Sequence, residues 1–171
     1  ELKKVALKLK NKKTKIKGLI NAAGIASMNL ALTTPHEVVT KIINTNLLGT
    51  IFACQVFAPL MIRANKGNII NFSTIAVPLG LKGESVYVAS KAGVESFTKT
   101  FAKEVADFNI NVNCIAPGPI KTDLTKGLAD IKIQKVIKRQ IFNRQFSKDT
   151  ICDLVEILLD KRMNSITGQI L

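Results

Sequence analysis

The stretch Asn68-Ile69-Ile70-Asn71-Phe72 decides the fold of this chain, because it is a short, almost continuous apolar run of strand-forming residues with turn signals on both sides. Lys66-Gly67 stops the segment before it, a long apolar helix running from about Asn46 to Ala64. After it, Ser73 to Ser85 reads as a loop containing Pro78, Gly80 and Gly83, and a second long helix covers roughly Ser85 to Asp107. The strand Ile110-Asn111-Val112-Asn113-Cys114-Ile115 comes next and is broken by Pro117-Gly118-Pro119. Upstream, Gly18-Leu19-Ile20-Asn21-Ala22-Ala23-Gly24 has the same character, a short buried strand ended by glycine. Lys3 to about Lys13 places Leu2, Val5, Ala6 and Leu9 on one helical face, and Thr34-Pro35 opens a helix continued by Val38, Ile42 and Ile43. Residues 123–146 read as an irregular or helical insertion, Asp149 to Asp160 as an amphipathic helix, and Ile170-Leu171 as the start of a further element. Buried strands alternating with helices predict an α/β layer structure, a parallel sheet covered on both faces.

Composition bounds the function classes. With 171 residues, 47% of them hydrophobic, the chain fills one core, and its aliphatic richness excludes disorder. The net charge of +13 suggests nucleic acid or a membrane surface until it is mapped. Residues 1–17 carry eight Lys and one Glu, and residues 132–148 carry six Lys or Arg and no acid, which accounts for all of it. The charge is local, and nucleic acid is not the expected partner. The longest apolar run, Ile51–Cys54 with Val56–Ile62, is interrupted by Gln55 and Pro59, so no membrane span is expected. The Lys-studded N-terminal stretch does not read as a secretory signal. Cys54, Cys114 and Cys152 are odd in number and widely spaced, which predicts buried free thiols in a reducing compartment, the cytoplasm. A single histidine, His36, leaves no material for a His-based metal site, and none is expected.

The sharpest chemical signal is Tyr87-Val88-Ala89-Ser90-Lys91. Positions i and i+4 share a helix face, and an ammonium there favours the phenolate, which predicts a tyrosine pKa lowered toward working pH. Such a tyrosine suits general acid work on an alkoxide. Alone, the pair is better explained by a partly exposed tyrosine beside a surface lysine. Thr74, with Ser73 beside it, stands thirteen residues earlier at the end of a strand, where open α/β sheets bind ligands. Either hydroxyl suits orienting a carbonyl. Asn46, within Asn44-Thr45-Asn46, is either a helix cap or a site residue. Asn21-Ala22-Ala23-Gly24 is either a plain turn or a close backbone approach to a ligand. Pro117-Gly118-Pro119-Ile120, with Thr122 beyond, either punctuates a loop or exposes backbone to a flat ring.

The order of strand-NAAG, NTN, Ser-Thr, YxxxK and PGPIxTD resembles the short-chain dehydrogenase/reductase family from residue 1 to 171. Gly80 to Lys91 and Ala92 to Thr122 are most similar to its ketoacyl-reductase-type branch. The resemblance implies a Rossmann-like, doubly wound parallel sheet and an NAD(P)-dependent oxidoreductase, with NAD and NADP both open. It implies Tyr87 as proton donor or acceptor, Lys91 as the holder of the nicotinamide ribose, Thr74 (with Ser73 in reserve) as the carbonyl-orienting hydroxyl, and Asn46 in a water-linked proton relay. Asn21, Ala22, Ala23 and Gly24 would lie against the adenosine side of the cofactor. Pro117, Gly118, Ile120 and Thr122 would wrap the nicotinamide, and residues 123–147 would form a substrate lid. Threonine replaces the family's usual serine, and Ala22 replaces its usual second asparagine.

The family's Gly-rich phosphate-binding turn has no counterpart in these residues, so the expected domain is partial, with strands 4 to 7 of the family fold and their helices. Residues 18–22 would then be a bare sheet edge, and this stretch by itself should bind a dinucleotide poorly. The resemblance also implies a homo-oligomer, tetramer or dimer, built on the two long helices. Two further readings remain. One is a non-catalytic binding protein that uses segments 1–17 and 132–148 for an acidic partner. In the other, the basic 132–148 segment is a lid drawing in an acidic substrate, such as an acyl group on an anionic carrier protein.

Overall fold

The computed structural model describes residues 1–122, 124 and 130–171, with backbone alone at 130–132. Asp123, where the lid was expected to begin, and residues 125–129 lie outside the described residues. Three parallel strands, β1 (Gly18–Asn21), β2 (Gly67–Phe72) and β3 (Ile110–Ile115), form a sheet in the order β1-β2-β3. Gly18 registers with Asn68 and Gly67 with Ile110, so the carboxyl ends of the strands open on the same side. Ile170 adds a parallel bridge to Cys114 beyond β3.

Helices cover both faces. Helix α1 (Leu2–Asn11) is followed, after β1, by α2 (His36–Ile43) and α3 (Gly49–Ala64). Helix α4 (Ala76–Leu79), a single turn, lies in the segment read as loop, and α5 (Ser85–Val105) follows it. Helices α6 (Asp130–Ile137) and α7 (Lys148–Leu159) complete the chain, and α6 falls inside the expected insertion. On one sheet face Cys54, Met61 and Ala58 of α3 and Ala102 and Val105 of α5 pack on Ile69, Ile110 and Val112. On the other, Leu158 of α7 packs on Ile70 and Ile115. Burial of each Ile, Leu, Val or Met side chain among these contributes about 1.5–3 kcal/mol. Gly67 is required where α3 meets β2: a Cβ there would lie 2.5 Å from the Sδ of fully buried Met61.

On the apolar face of α1, Ala6 and Leu9 pack against α3, while Leu2 and Val5 are exposed. Three expectations are corrected. Cys54 and Cys114 are buried, but Cys152 is exposed on α7. Asn46 does not open a helix: α2 and α3 form one continuous helix, His36–Ala64, through a π-turn at Asn44–Leu48. That helix is also long and apolar enough, by length and composition, to cross a membrane, which the interrupted run had not suggested. One face of it packs on the sheet, with Cys54 and Met61 fully buried, and a third of its apolar stretch is buried. Among the described residues β1 is a terminal strand of the sheet, and Ile20 is 46% exposed.

Candidate active site

A cleft of about 1000 Å³ opens at the carboxyl ends of the strands. Ala22 and Gly24 line it from the exit of β1, Phe72 to Ala76 from that of β2, and Pro117 to Ile120 with Thr122 from that of β3. Helix α5 contributes Tyr87 and Lys91. This is the position that open parallel sheets give to ligands.

Tyr87 and Lys91 are only 6% and 5% exposed, so neither belongs to a surface pair. Thr74 stands beside the Tyr87 phenol in the cleft, and Thr74 Oγ1 accepts from the Ala76 N–H at 3.2 Å. Lys91 Nζ donates to the Phe72 carbonyl at 2.8 Å. Burial pushes the Lys91 ammonium below its ordinary range. The Tyr87 phenol is pushed up, first by burial and further by the Glu84 carboxylate, while Thr74 pulls the other way. The lowered tyrosine pKa expected from the YxxxK spacing is therefore corrected. In this structure desolvation of the phenolate outweighs what favours it, and the lysine's charge is committed to a strand-end carbonyl.

Ser73 and Thr74 separate by geometry. Ser73 is 4% exposed and its Oγ donates to Glu95 Oε1 at 2.5 Å, so its hydroxyl is turned onto α5. Asn46 is fully buried, and its amide holds the backbone of Ile25 from both ends, with Ile25 N–H donating to Oδ1 at 2.8 Å and Nδ2 donating to Ile25 O at 2.9 Å. Nδ2 also donates to Ser90 Oγ at 3.0 Å, and Ser90 Oγ donates to Tyr87 O at 2.7 Å. The side chain expected in a proton relay is thus spent on fixing the loop after β1 to α5.

The NAAG segment divides. Ala22 and Gly24 reach the cleft, whereas Asn21 Nδ2 donates to Asn71 Oδ1 at 2.8 Å and to Cys54 Sγ at 3.4 Å, under the sheet. Asn71 continues inward to Thr98 Oγ1 at 2.9 Å, which gives buried asparagines the partners that burial demands. Ala23 is exposed and not part of the cleft lining. The PGPI segment and Thr122 all reach the cleft. Sequence reasoning missed Ser90 and Glu95; the helical spacing of both from Tyr87 and Lys91 was the available signal. It also missed Lys82 and Cys152, which line the cleft with Lys135, Arg139 and Lys148.

A family profile described as Enoyl-(Acyl carrier protein) reductase matches residues 1–171. The chain is 36% identical over 164 residues to 3-oxoacyl-[acyl-carrier-protein] reductase FabG of Chlamydia pneumoniae, covering 96% of this chain and 66% of that protein. It is 34% identical to the protein of the same name from Thermotoga maritima, covering all of this chain and 70% of that one. Carbonyl reductase family member 4 of Xenopus laevis is 38% identical over 163 residues, 95% of this chain and 67% of that protein. Among solved structures, a 4-hydroxyisoleucine dehydrogenase mutant complexed with NADH and succinate superimposes with a TM-score of 0.89 at 28% identity, over 98% of this chain and 70% of that one. The chain spans 66–70% of the length of these curated relatives.

Proposed function

The chain belongs to the short-chain dehydrogenase/reductase family, and from that premise we propose that the full-length protein moves hydride between a nicotinamide dinucleotide and a carbonyl or alcohol carbon, with 3-oxoacyl thioesters as its substrate class. The observation that carries this reading is the buried Tyr87, lining the cleft beside Thr74, with the buried Lys91 one helical turn away and its ammonium on the Phe72 carbonyl.

The residues present fit the nicotinamide end of such a cofactor. Gly24 leaves the entrance bare: a Cβ there would sit 3.4 Å from both Lys91 Nζ and Asn46 Oδ1. Pro117 to Ile120 offer a flat apolar ledge, and Lys91 is the cation beside it. When bound, the nicotinamide supplies or accepts the hydride. The chain does the rest. Tyr87, held in its neutral form by burial, gives its proton to the carbonyl oxygen as that oxygen becomes an alkoxide, and takes it back in the oxidative direction. Thr74 donates to the same oxygen and orients it. Lys91 would hold the cofactor's ribose hydroxyls, and Asn46 serves the site by fixing the Ile25 backbone beside Gly24.

Lys82, Lys135, Arg139 and Lys148 on the cleft wall support an acidic, carrier-linked acyl substrate. Phe52, 49% exposed on α3, supports a homo-oligomer assembled on the long helices. The unpaired cysteines suit a reducing compartment such as the cytoplasm. The test is reduction of an acetoacetyl thioester by the full-length chain with NADH or NADPH, beside Tyr87→Phe. Equal turnover by the two proteins overturns the catalytic assignment, and nucleotide binding without turnover by the wild type favours a non-catalytic role.

A further inference from the structure

We infer that Glu95 is a positioning residue of this site, the third rung of a Tyr87–Lys91–Glu95 stripe that sets α5 against the exit of β2; the inference rests on the reading of the site given above. Residues four apart on a helix share one face, and this stripe meets three consecutive residues of the strand exit. Tyr87 stands beside Thr74 in the cleft, Lys91 Nζ bonds the Phe72 carbonyl at 2.8 Å, and Glu95 Oε1 accepts from Ser73 Oγ at 2.5 Å. Ser73 Oγ also lies 3.5 Å from the Lys91 carbonyl, so the serine sits between the second and third rungs.

The other side of this exit is held by β3 and the loop beyond it. Ser73 N–H donates to Ile115 O at 2.8 Å, and Ile75 N–H donates to Pro117 O at 3.0 Å. The backbone on either side of Thr74 is thereby fixed to β3, and its lateral setting against α5 is left to side chains. Lys91 supplies one such contact and Glu95 the other. A hydroxyl donating to a carboxylate is a short, strong bond, well suited to resist sliding. It also directs the Ser73 proton toward Glu95, which leaves Thr74 as the hydroxyl offered to substrate. Glu95 does not line the cleft, so its effect reaches the reaction through Ser73 and the helix.

The experiment uses steady-state kinetics on the full-length chain with an acetoacetyl thioester, with Tyr87→Phe as reference. Glu95→Gln keeps an acceptor of the same reach for the Ser73 hydroxyl, whereas Glu95→Asp falls one methylene short. The expected result is a kcat within about threefold of wild type for Glu95→Gln and lower by about 10–100-fold for Glu95→Asp, the scale of an ångström-sized misplacement. The KM for the nucleotide should be unchanged in both. Ser73→Ala should lower kcat as Glu95→Asp does, and the double variant should be no worse than either, because they break one bond. Glu95→Asp equal to Glu95→Gln, losses that multiply in the double variant, or a change confined to nucleotide KM would each overturn the inference while Tyr87 dependence persists. Turnover indifferent to Tyr87→Phe overturns the reading of the site and this inference with it.

Discussion

Asn46 pairs with the Ile25 backbone as a neighbouring strand would, taking its N–H at 2.8 Å and giving a proton to its carbonyl at 2.9 Å. The π-turn at Asn44–Leu48 carries this side chain inward from a continuous helix, an arrangement often found at functional positions. Because Nδ2 also reaches Ser90 Oγ at 3.0 Å, one amide couples the loop after β1 to the helix that carries Tyr87 and Lys91.

Asn46→Leu should therefore destabilise the fold and loosen the cofactor entrance together. It removes three hydrogen bonds made by a fully buried side chain and leaves the Ile25 N–H and C=O without the amide, a loss of roughly 2–4 kcal/mol. Urea unfolding measures the first effect and nucleotide titration the second. A stable variant with wild-type nucleotide affinity would show that the loop holds its shape without Asn46.

Tyr87→Phe should cost about 10²–10⁴-fold in turnover with little change in stability, since only the phenol oxygen is lost. Thr74→Ser should keep most of the activity and Thr74→Val lose most of it. Ser73 cannot stand in, because its hydroxyl donates to Glu95. Activity in Thr74→Val that disappears on adding Ser73→Ala would show that the serine is the working hydroxyl.

The parts of the site that are local in sequence were legible there. Apolar strands bounded by glycine and proline placed β2 and β3 within a residue or two, and the i, i+4 spacing put Tyr87 and Lys91 on one face. What sequence could not give is direction. Asn21 belongs to a cofactor motif, yet its amide crosses to Asn71, because a half-buried amide on this strand finds its partner in the adjacent strand. Asn46 had the composition of a cap, but a π-turn inside a continuous helix has no cap to make. The direction of the Tyr87 shift failed for a related reason: spacing reveals the neighbouring charge but not how completely the fold removes water.

Two thiols give a pH dependence whose sign is fixed. Burial pushes Cys54 and Cys114 from the ordinary 9.0 up to about 12; Asn21 opposes the shift at Cys54, and Glu95 adds to it at Cys114. The folded state thus holds these protons where the unfolded chain releases them. Their stabilising contribution is full below about pH 9 and is lost as pH rises toward 12. Unfolding free energy should fall over that window, and less steeply in Cys54→Ala. At neutral pH a thiol reagent should label exposed Cys152 in the native protein and reach Cys54 and Cys114 only after unfolding. Rapid native labelling of either buried thiol would contradict the packing of α3 and β3.

The basic segment 132–148 divides into two sets that can be tested against each other. Lys135 and Arg139 line the cleft, whereas Lys138 and Arg144 lie outside its lining, with Arg144 set over the rings of Phe142 and Phe146 at 5.3 and 5.4 Å. Charge at the cleft wall acts on any anionic substrate, while charge outside it acts only on a partner large enough to reach it. Neutralising Lys135 and Arg139 should raise the apparent KM for a small anionic thioester and for a carrier-linked one. Neutralising Lys138 and Arg144 should raise it for the carrier-linked substrate alone, and that difference should shrink with added salt as screening sets in. A neutral ketone should feel neither change. Equal effects on all three substrates would mean that these residues act through the packing of the segment, and the acidic-carrier reading would fall.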